Sequence, residues 1–237
     1  MTENGILQIE PIAEIRTDFR EKFGLPRQSG LVPALRGEIV FRPAYSQPEA
    51  VRGLEAFSHL WLIWGFHAAR KPDGKSRSAT VRPPRLGGNT RVGVFATRAP
   101  YRPNPLGLSC VRLEQVHADS QPVRLLVSGI DLLDGTPIYD IKPYIPLADC
   151  KPDASEGYTA ETRQHQLTVD FPPALLSLLP EDRRQAAVEI LRLDPRPGYA
   201  NDPLRQYGIS FADFDIRFHV SGSVLTVCEV TTQAEKE

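Results

Sequence analysis

The chain has 237 residues, 41% of them apolar and 24% charged, with a formal net charge of −1, which is enough for one substantial core plus a smaller appendage in one or two domains. No apolar run approaches the roughly 20 residues of a membrane helix, and Met1-Thr2-Glu3-Asn4 lacks the basic and apolar regions of a secretion signal, so a soluble, cytoplasmic, globular protein is expected. Cys110, Cys150 and Cys228 are odd in number and far apart, which argues against a disulfide framework or a cysteine zinc site, and 22 prolines favour short strands and turns over long helices.

In chain order, Ile6, Leu7, Ile9, Ile12 and Ile15 predict one or two strands around Pro11, followed by a Pro/Gly-punctuated loop from Gly24 to Gly30 that carries Arg27 and Gln28. Gly37 to Phe41 predicts another strand. Ser46 and Glu49 have capping-box spacing around Pro48, predicting a short helix over 48–56. Phe57 to His67 is almost unbroken apolar and aromatic sequence and predicts a central strand ending at a polar His67. Val92, Val94 and Phe95 read as a strand, as do Leu106 to Leu113, Val123 to Leu133 and Ile138 to Ile145, the last two joined at Asp134-Gly135-Thr136-Pro137 by a hairpin turn. At least six strands and little helix before residue 150 predict a closed or partly closed barrel.

Lys151 to Glu161 is polar, rich in small residues and linker-like. A strand over 166–171 and a helix over 181–193 follow, the latter with Ala186, Ala187, Ile190 and Leu191 on one side and stopped by Asp194-Pro195-Arg196-Pro197-Gly198. Phe211 to Val220 and Val224 to Val230 predict a terminal hairpin around Ser221-Gly222-Ser223.

Charge is distributed unevenly. Between Arg70 and Arg102 nine Lys/Arg (including Arg77, Arg82, Arg85, Arg91 and Arg98) face Asp73 alone, a local excess of +8 that leaves about −9 on the remainder. Such a segment suits an anionic partner such as nucleic acid, or is a solvated basic loop. Within it, Arg98 and Arg102 bracket a stiff Pro103-Asn104-Pro105 corner, whose prolines fix φ and remove two donors; it is either a ligand-holding loop or a tight barrel corner. No dinucleotide-binding glycine fingerprint or P-loop occurs. Asp131-Leu132-Leu133-Asp134-Gly135-Thr136 misses by one residue the spacing of the Asp-x-Asp-Gly-Thr loop of haloacid-dehalogenase-type phosphohydrolases. His59 and His67, eight apart, lack a third metal ligand; His59 is expected to be a hydrogen-bonded core residue, and His67 a candidate ligand contact.

Several of these motifs together resemble the TsaA/TrmO family: Phe95-Ala-Thr-Arg98 through Arg102-Pro-Asn-Pro-Leu-Gly107, Arg85-Leu-Gly-Gly-Asn89, Asp131-Leu-Leu-Asp-Gly-Thr-Pro137 and Asp140-Ile-Lys-Pro-Tyr144. Leu54 to Trp61, Glu21 to Phe23 and Pro26 to Gln28 fit as well, and Asp194 to Pro197 with Tyr199 resembles the smaller C-terminal part of bacterial members. The resemblance implies a mainly β (α+β) protein with an N-terminal β-barrel S-adenosylmethionine-binding domain over 1–155 and a small C-terminal α+β domain over 156–237. It implies an S-adenosylmethionine-dependent tRNA methyltransferase, usually a homodimer, that methylates N6 of N6-threonylcarbamoyladenosine (t6A) at position 37 to m6t6A, chiefly in tRNA-Thr. Implied cofactor contacts are Pro26, Arg27, Gln28, His67, Ala68, Arg98, Leu108 and Asp131, Leu132, Leu133, Asp134. At Ala68, where a larger polar residue occurs in other members, the contact is through backbone. Arg77, Arg82, Arg85, Arg91 and Arg102 are expected to grip the anticodon stem-loop, and His67, Asp131 and Asp134 are candidates for taking the N6 proton. The rival readings are a non-catalytic RNA-binding β-barrel and a magnesium-dependent phosphohydrolase.

Overall fold

The structure, a computed structural model, describes residues 7–69, 79–83, 86, 89–162, 166–196, 202 and 205–232. Six strands close into a barrel: β1 (Ala13–Thr17), β2 (Arg36–Phe41), β3 (His59–Gly65), β6 (Leu106–His117), β7 (Arg124–Ser128) and β8 (Thr136–Pro143), in the order β1-β2-β7-β6-β3-β8 with β8 returning to β1. Period-two alternation decides which side chains enter: Ala13, Ile15, Ile39, Leu60, Leu62, Val111, Leu125, Val127 and Ile138 are all fully buried. Between β3 and β6, the short strands β4 (Thr80–Val81) and β5 (Val92–Gly93) pair with each other.

Four sequence expectations change. Of the N-terminal apolar run, Ile6 lies outside the described residues and, among the rest, β1 alone is strand; Leu7 is 83% exposed, because the barrel ring closes on β1 and leaves no edge for a preceding strand. The helix over 48–56 is instead two 3-10 turns, Pro48–Val51 and Leu54–Ala56, broken at Gly53 with φ +85°. Ser46 caps neither, since its hydroxyl accepts the Val123 N–H at 2.7 Å. The strand through Val92, Val94 and Phe95 stops at Gly93, and Val94–Ala96 is a 3-10 turn that leaves Phe95 76% exposed.

The expected hairpin at Asp134-Gly135 does not form. The edges of β7 are taken by β2 and β6, and those of β8 by β1 and β3, so these consecutive strands cannot pair. The turn is held on β1 instead: Asp134 N–H donates to Phe19 O at 2.8 Å and Gly135 N–H to Ile15 O at 2.9 Å, with Gly135 at φ +72°.

After the short helix α1 (Pro146–Asp149), the linker-like segment holds one 3-10 stretch, Gly157–Thr162. Next come β9 (Thr168–Asp170), the helices α2 (Pro173–Leu176) and α3 (Glu181–Arg192), and the strands β10 (Tyr207–Phe211), β11 (Phe214–Ser221) and β12 (Val224–Thr232). They make a sheet ordered β10-β11-β12-β9 in which β9 runs parallel to β12. The terminal hairpin is β11–β12; β10 is an additional strand that the sequence pattern did not reveal. Ala186, Ala187, Ile190 and Leu191 of α3 are buried as its periodicity predicts. Asp194, at φ +52°, ends the helix and takes a bidentate pair from Arg196 at 2.8 Å.

Barrel and second sheet share one apolar core. Phe19, just after β1, and Phe211 of β10 are fully buried with ring centroids 5.5 Å apart. Around them Arg183 pairs with Asp18 at 2.6 Å and Ala212 N–H donates to Asp18 O at 2.9 Å. Phe19→Ala is expected to lower unfolding free energy by about 3–5 kcal/mol, the usual loss for a buried phenylalanine; denaturant melts of the full chain check this.

Candidate active site

At the end of the barrel where β3 stops and β6 and β8 begin, the walls enclose a cavity of about 1090 Å³. Its floor is aromatic: Trp64 and Phe66 meet edge to face at 4.4 Å, and Phe95 and Tyr101 stand at its walls. Gly107 sits opposite Trp64 in the β3–β6 register, and a Cβ there would lie 2.2 Å from the indole ring, so only glycine admits it.

The polar side begins with Asp131, beyond the end of β7. Ser109 Oγ donates to Asp131 Oδ1 at 2.6 Å, and the indole N–H of Trp64 donates to Ser109 Oγ at 2.9 Å. Burial pushes the Asp131 carboxyl above the usual carboxylate range; the Ser109 hydroxyl, the Ser29 backbone N–H and the charge of Arg98 pull the other way. Ser29 is tied to the barrel in turn, accepting the Cys110 N–H at 3.0 Å.

Two loops meet across the mouth. Arg98 Nη1 donates to Gln28 Oε1, and the Gln28 amide donates to the Arg27 carbonyl. Lys22 Nζ donates to the Ala68 carbonyl at 2.6 Å. Arg102 Nη1 donates to Thr97 O at 3.0 Å and so braces its own loop, while the Phe66 N–H donates to Pro105 O at 3.0 Å and docks that loop on β3.

Pro26, Arg27, Gln28, His67, Ala68, Arg98, Leu108, Asp131 and Leu133 all line the cavity, together with Arg102. Leu132 points into the core, 1% exposed. Asp134 is not a wall of the cavity; its Oδ1 accepts the Thr17 N–H at 3.0 Å and its Oδ2 lies 3.8 Å from Arg16. Arg82 and Arg91 are exposed and also away from it, Arg91 reaching the Thr80 hydroxyl at 3.3 Å. Arg77 and Arg85 lie outside the described residues.

His59 is half-buried rather than a core residue, because inward positions fall to Leu60, Leu62 and Trp64; its Nδ1 is 2.9 Å from Ser58 Oγ. His67 lies past the end of β3, in a 3-10 turn. Among the described residues no cluster of three metal-ligating side chains occurs. Lys22, Trp64, Phe66 and Ser109 were missed as site residues. Trp64 was hidden by an apolar run, whereas Ser109, polar at an inward barrel position two residues before Val111, left a signal in the alternation.

A closed barrel with an aromatic floor, a half-buried carboxylate and an arginine-lined mouth defines a ligand-binding barrel suited to a molecule with a flat ring and both charges. Models of the tRNA-methyltransferase O N-terminal domain and the TrmO C-terminal domain match residues 14–150 and 164–233, and the chain belongs to the TrmO family. The tRNA (adenine(37)-N6)-methyltransferase of Escherichia coli K12 is 43% identical over 222 residues, covering 90% of this chain and 93% of that protein. The human protein of the same name is 38% identical over 69% of this chain, which covers 36% of it. A crystal structure of TrmO from Pseudomonas aeruginosa superposes with a TM-score of 0.78 at 36% identity, covering 98% of this chain and 100% of that one.

Asp131 has a stability consequence. A carboxyl whose pKa is raised by folding stabilises the fold below its unfolded pKa and loses that contribution as pH rises through the folded value, so at neutral pH the buried charge is a burden. Asp131→Asn should therefore raise the unfolding midpoint at pH 7. Thermal scans between about pH 4 and 8 should show the gain shrinking as pH falls.

Proposed function

We propose that this protein is a tRNA adenine-N6 methyltransferase that binds S-adenosylmethionine in the barrel cavity and methylates N6 of t6A at position 37, giving m6t6A chiefly in tRNA-Thr. The observation that carries the reading is the convergence of Pro26 to Gln28, His67, Ala68, Arg98, Leu108 and Asp131, from separate parts of a family-length chain, on one cavity. The donor set fits the cofactor: Asp131 accepts from an ammonium or ribose hydroxyl, Arg98 or Arg27 pairs with a carboxylate, and Trp64 and Phe66 offer ring faces. The names of relatives agree, including that of a 45% identical Pseudomonas aeruginosa protein named for S-adenosylmethionine-dependent methyl transfer.

When bound, S-adenosylmethionine supplies a methyl group already activated by its sulfonium. What is left to the chain is alignment of N6 with that methyl, exclusion of water and removal of one proton from N6. His67 and Asp131 face the cavity and serve as candidate acceptors; Asp134, held by Thr17 and Arg16, supports β1. At about 1090 Å³ the cavity exceeds the usual range for one small ligand, leaving room for a flipped-out base beside the cofactor. Phe95, 76% exposed, and Tyr101, 50% exposed, stack on that base, with Arg102 and the basic segment gripping the anticodon stem-loop.

Residues 1–155 form the methyltransferase domain and 156–237 the small C-terminal domain. The protein acts in the cytoplasm, away from membranes, and no helix among the described residues is long and apolar enough to cross one. It works as a homodimer, for which exposed Ile145 and Leu147, next to the Trp61–Tyr144 ring contact, offer an apolar face.

Mass spectrometry of tRNA nucleosides from a deletion strain tests the reaction: m6t6A disappears while t6A persists, and unchanged m6t6A refutes it. Arg98→Ala should weaken S-adenosylmethionine binding by roughly 1.5–3 kcal/mol, or about 10–150-fold, with methyl transfer lost in step; unaltered turnover rejects its role. Phe95→Ala should raise the KM for tRNA by about tenfold or more, the value of one lost base stack, and leave calorimetric cofactor affinity unchanged.

A further inference from the structure

We propose that Ser109 is a positioning residue of the site: the Trp64 indole aims its hydroxyl proton at Asp131, holding that carboxylate as a fixed acceptor toward the cavity. Ser109 is fully buried, and its hydroxyl has one proton to give. The indole N–H is a donor only, so at 2.9 Å it must occupy a lone pair of Ser109 Oγ. That leaves the hydroxyl proton for Asp131 Oδ1, 2.6 Å away, the length of a hydrogen bond to an ionised acceptor.

The direction of this chain follows from backbone register. Trp64 stands opposite Gly107, and the missing Cβ lets the indole lie across β6 so that its N–H reaches Ser109, two residues along. Oδ1 is thereby engaged from below. A ligand hydroxyl or ammonium arriving in the cavity meets a carboxylate that neither rotates away nor waits for a proton donor. Besides Asp131, the charged or titratable groups lining the same cavity, among the described residues, are Lys22, Arg27, His67, Arg98, Tyr101 and Arg102, and Arg98 is the one whose charge bears on Asp131.

If Ser109 did no more than satisfy the buried indole, Asp131 would be indifferent to its removal. Carboxyl titration of Asp131 by NMR in the ligand-free protein separates the two cases. Ser109→Ala should move the titration upward, since a hydrogen bond that favours the charged form is gone. Trp64→Phe keeps a ring over Gly107 but frees the hydroxyl to turn, and should move it the same way by less. The double variant should match Ser109→Ala alone, because both act through one proton. An unmoved titration in Ser109→Ala, or a Trp64→Phe effect that adds to it, overturns the proposal.

A second readout rests on the proposed cofactor: in calorimetry with S-adenosylmethionine, Ser109→Ala should bind about tenfold more weakly, with the acid limb of affinity displaced to higher pH. Wild-type affinity and acid limb in that variant count against Ser109. Failure of the wild type to bind counts against the cofactor assignment and leaves the NMR result standing as the judge of Ser109.

Discussion

The site depends on how closely Trp64 approaches the backbone of Gly107. Antiparallel pairing of β3 and β6 places these residues opposite each other, and the indole occupies the volume a Cβ would need. With the ring laid flat on the neighbouring strand, its N–H reaches Ser109 and its edge meets Phe66, so one packing contact sets both the polar relay and the aromatic floor. Any larger residue at 107 would push the ring into the cavity and break the relay at its first link.

The half-buried carboxylate is the costly part of this arrangement. Asp131 lies where the barrel interior gives way to the cavity, and desolvation outweighs the donors that hold it. Closure of the barrel offsets the penalty elsewhere. Each of the six strands has neighbours on both sides, the apolar interior is continuous with the core under the second sheet, and Phe19 against Phe211 joins the two. A rigid shell tolerates one poorly solvated charge at its end, and such a charge is useful where a cationic or hydroxyl-rich ligand replaces the missing water.

Much of the barrel was legible in the sequence because apolar strand segments stand out between turn residues: β2, β3, β6 and the start of β8 all lie within segments read as strands, β3 in an almost unbroken apolar run. What closure does to neighbouring strands was not legible. Asp134-Gly135 carries ordinary hairpin chemistry, and nothing local reveals that β7 and β8 already have two partners each. Ser46 failed as a cap for a similar reason, its hydroxyl being claimed by Val123, 77 positions away. The candidate site was legible mainly through motif resemblance, which placed Pro26 to Gln28, His67, Ala68, Arg98, Arg102, Leu108, Asp131 and Leu133 on its walls. It was blind to Trp64, whose role comes from pairing across strands, and to Ser109, whose partner Trp64 lies on another strand although its own inward polar position shows in the alternation.

The arginine pair around Pro103-Asn104-Pro105 shows how the fold separates two residues of one type. Arg102 turns back to the Thr97 carbonyl, inside its own loop, while Arg98 crosses to Gln28 on a loop 70 residues earlier. The stiff corner makes that separation possible. The Leu106 N–H turns back to the Asn104 carbonyl, the Pro105 carbonyl is taken by Phe66, and the prolines have no N–H to give, so the corner sits on β3 as a fixed strut. Arg102 then acts as a brace with its charge still on the cavity wall, and Arg98 links two loops at the cavity mouth. A carboxylate brought to the cavity mouth would compete with Gln28, a neutral partner, for the Arg98 guanidinium. Because a charge-assisted bond is roughly twice as strong as a neutral one, such an exchange would favour the anion.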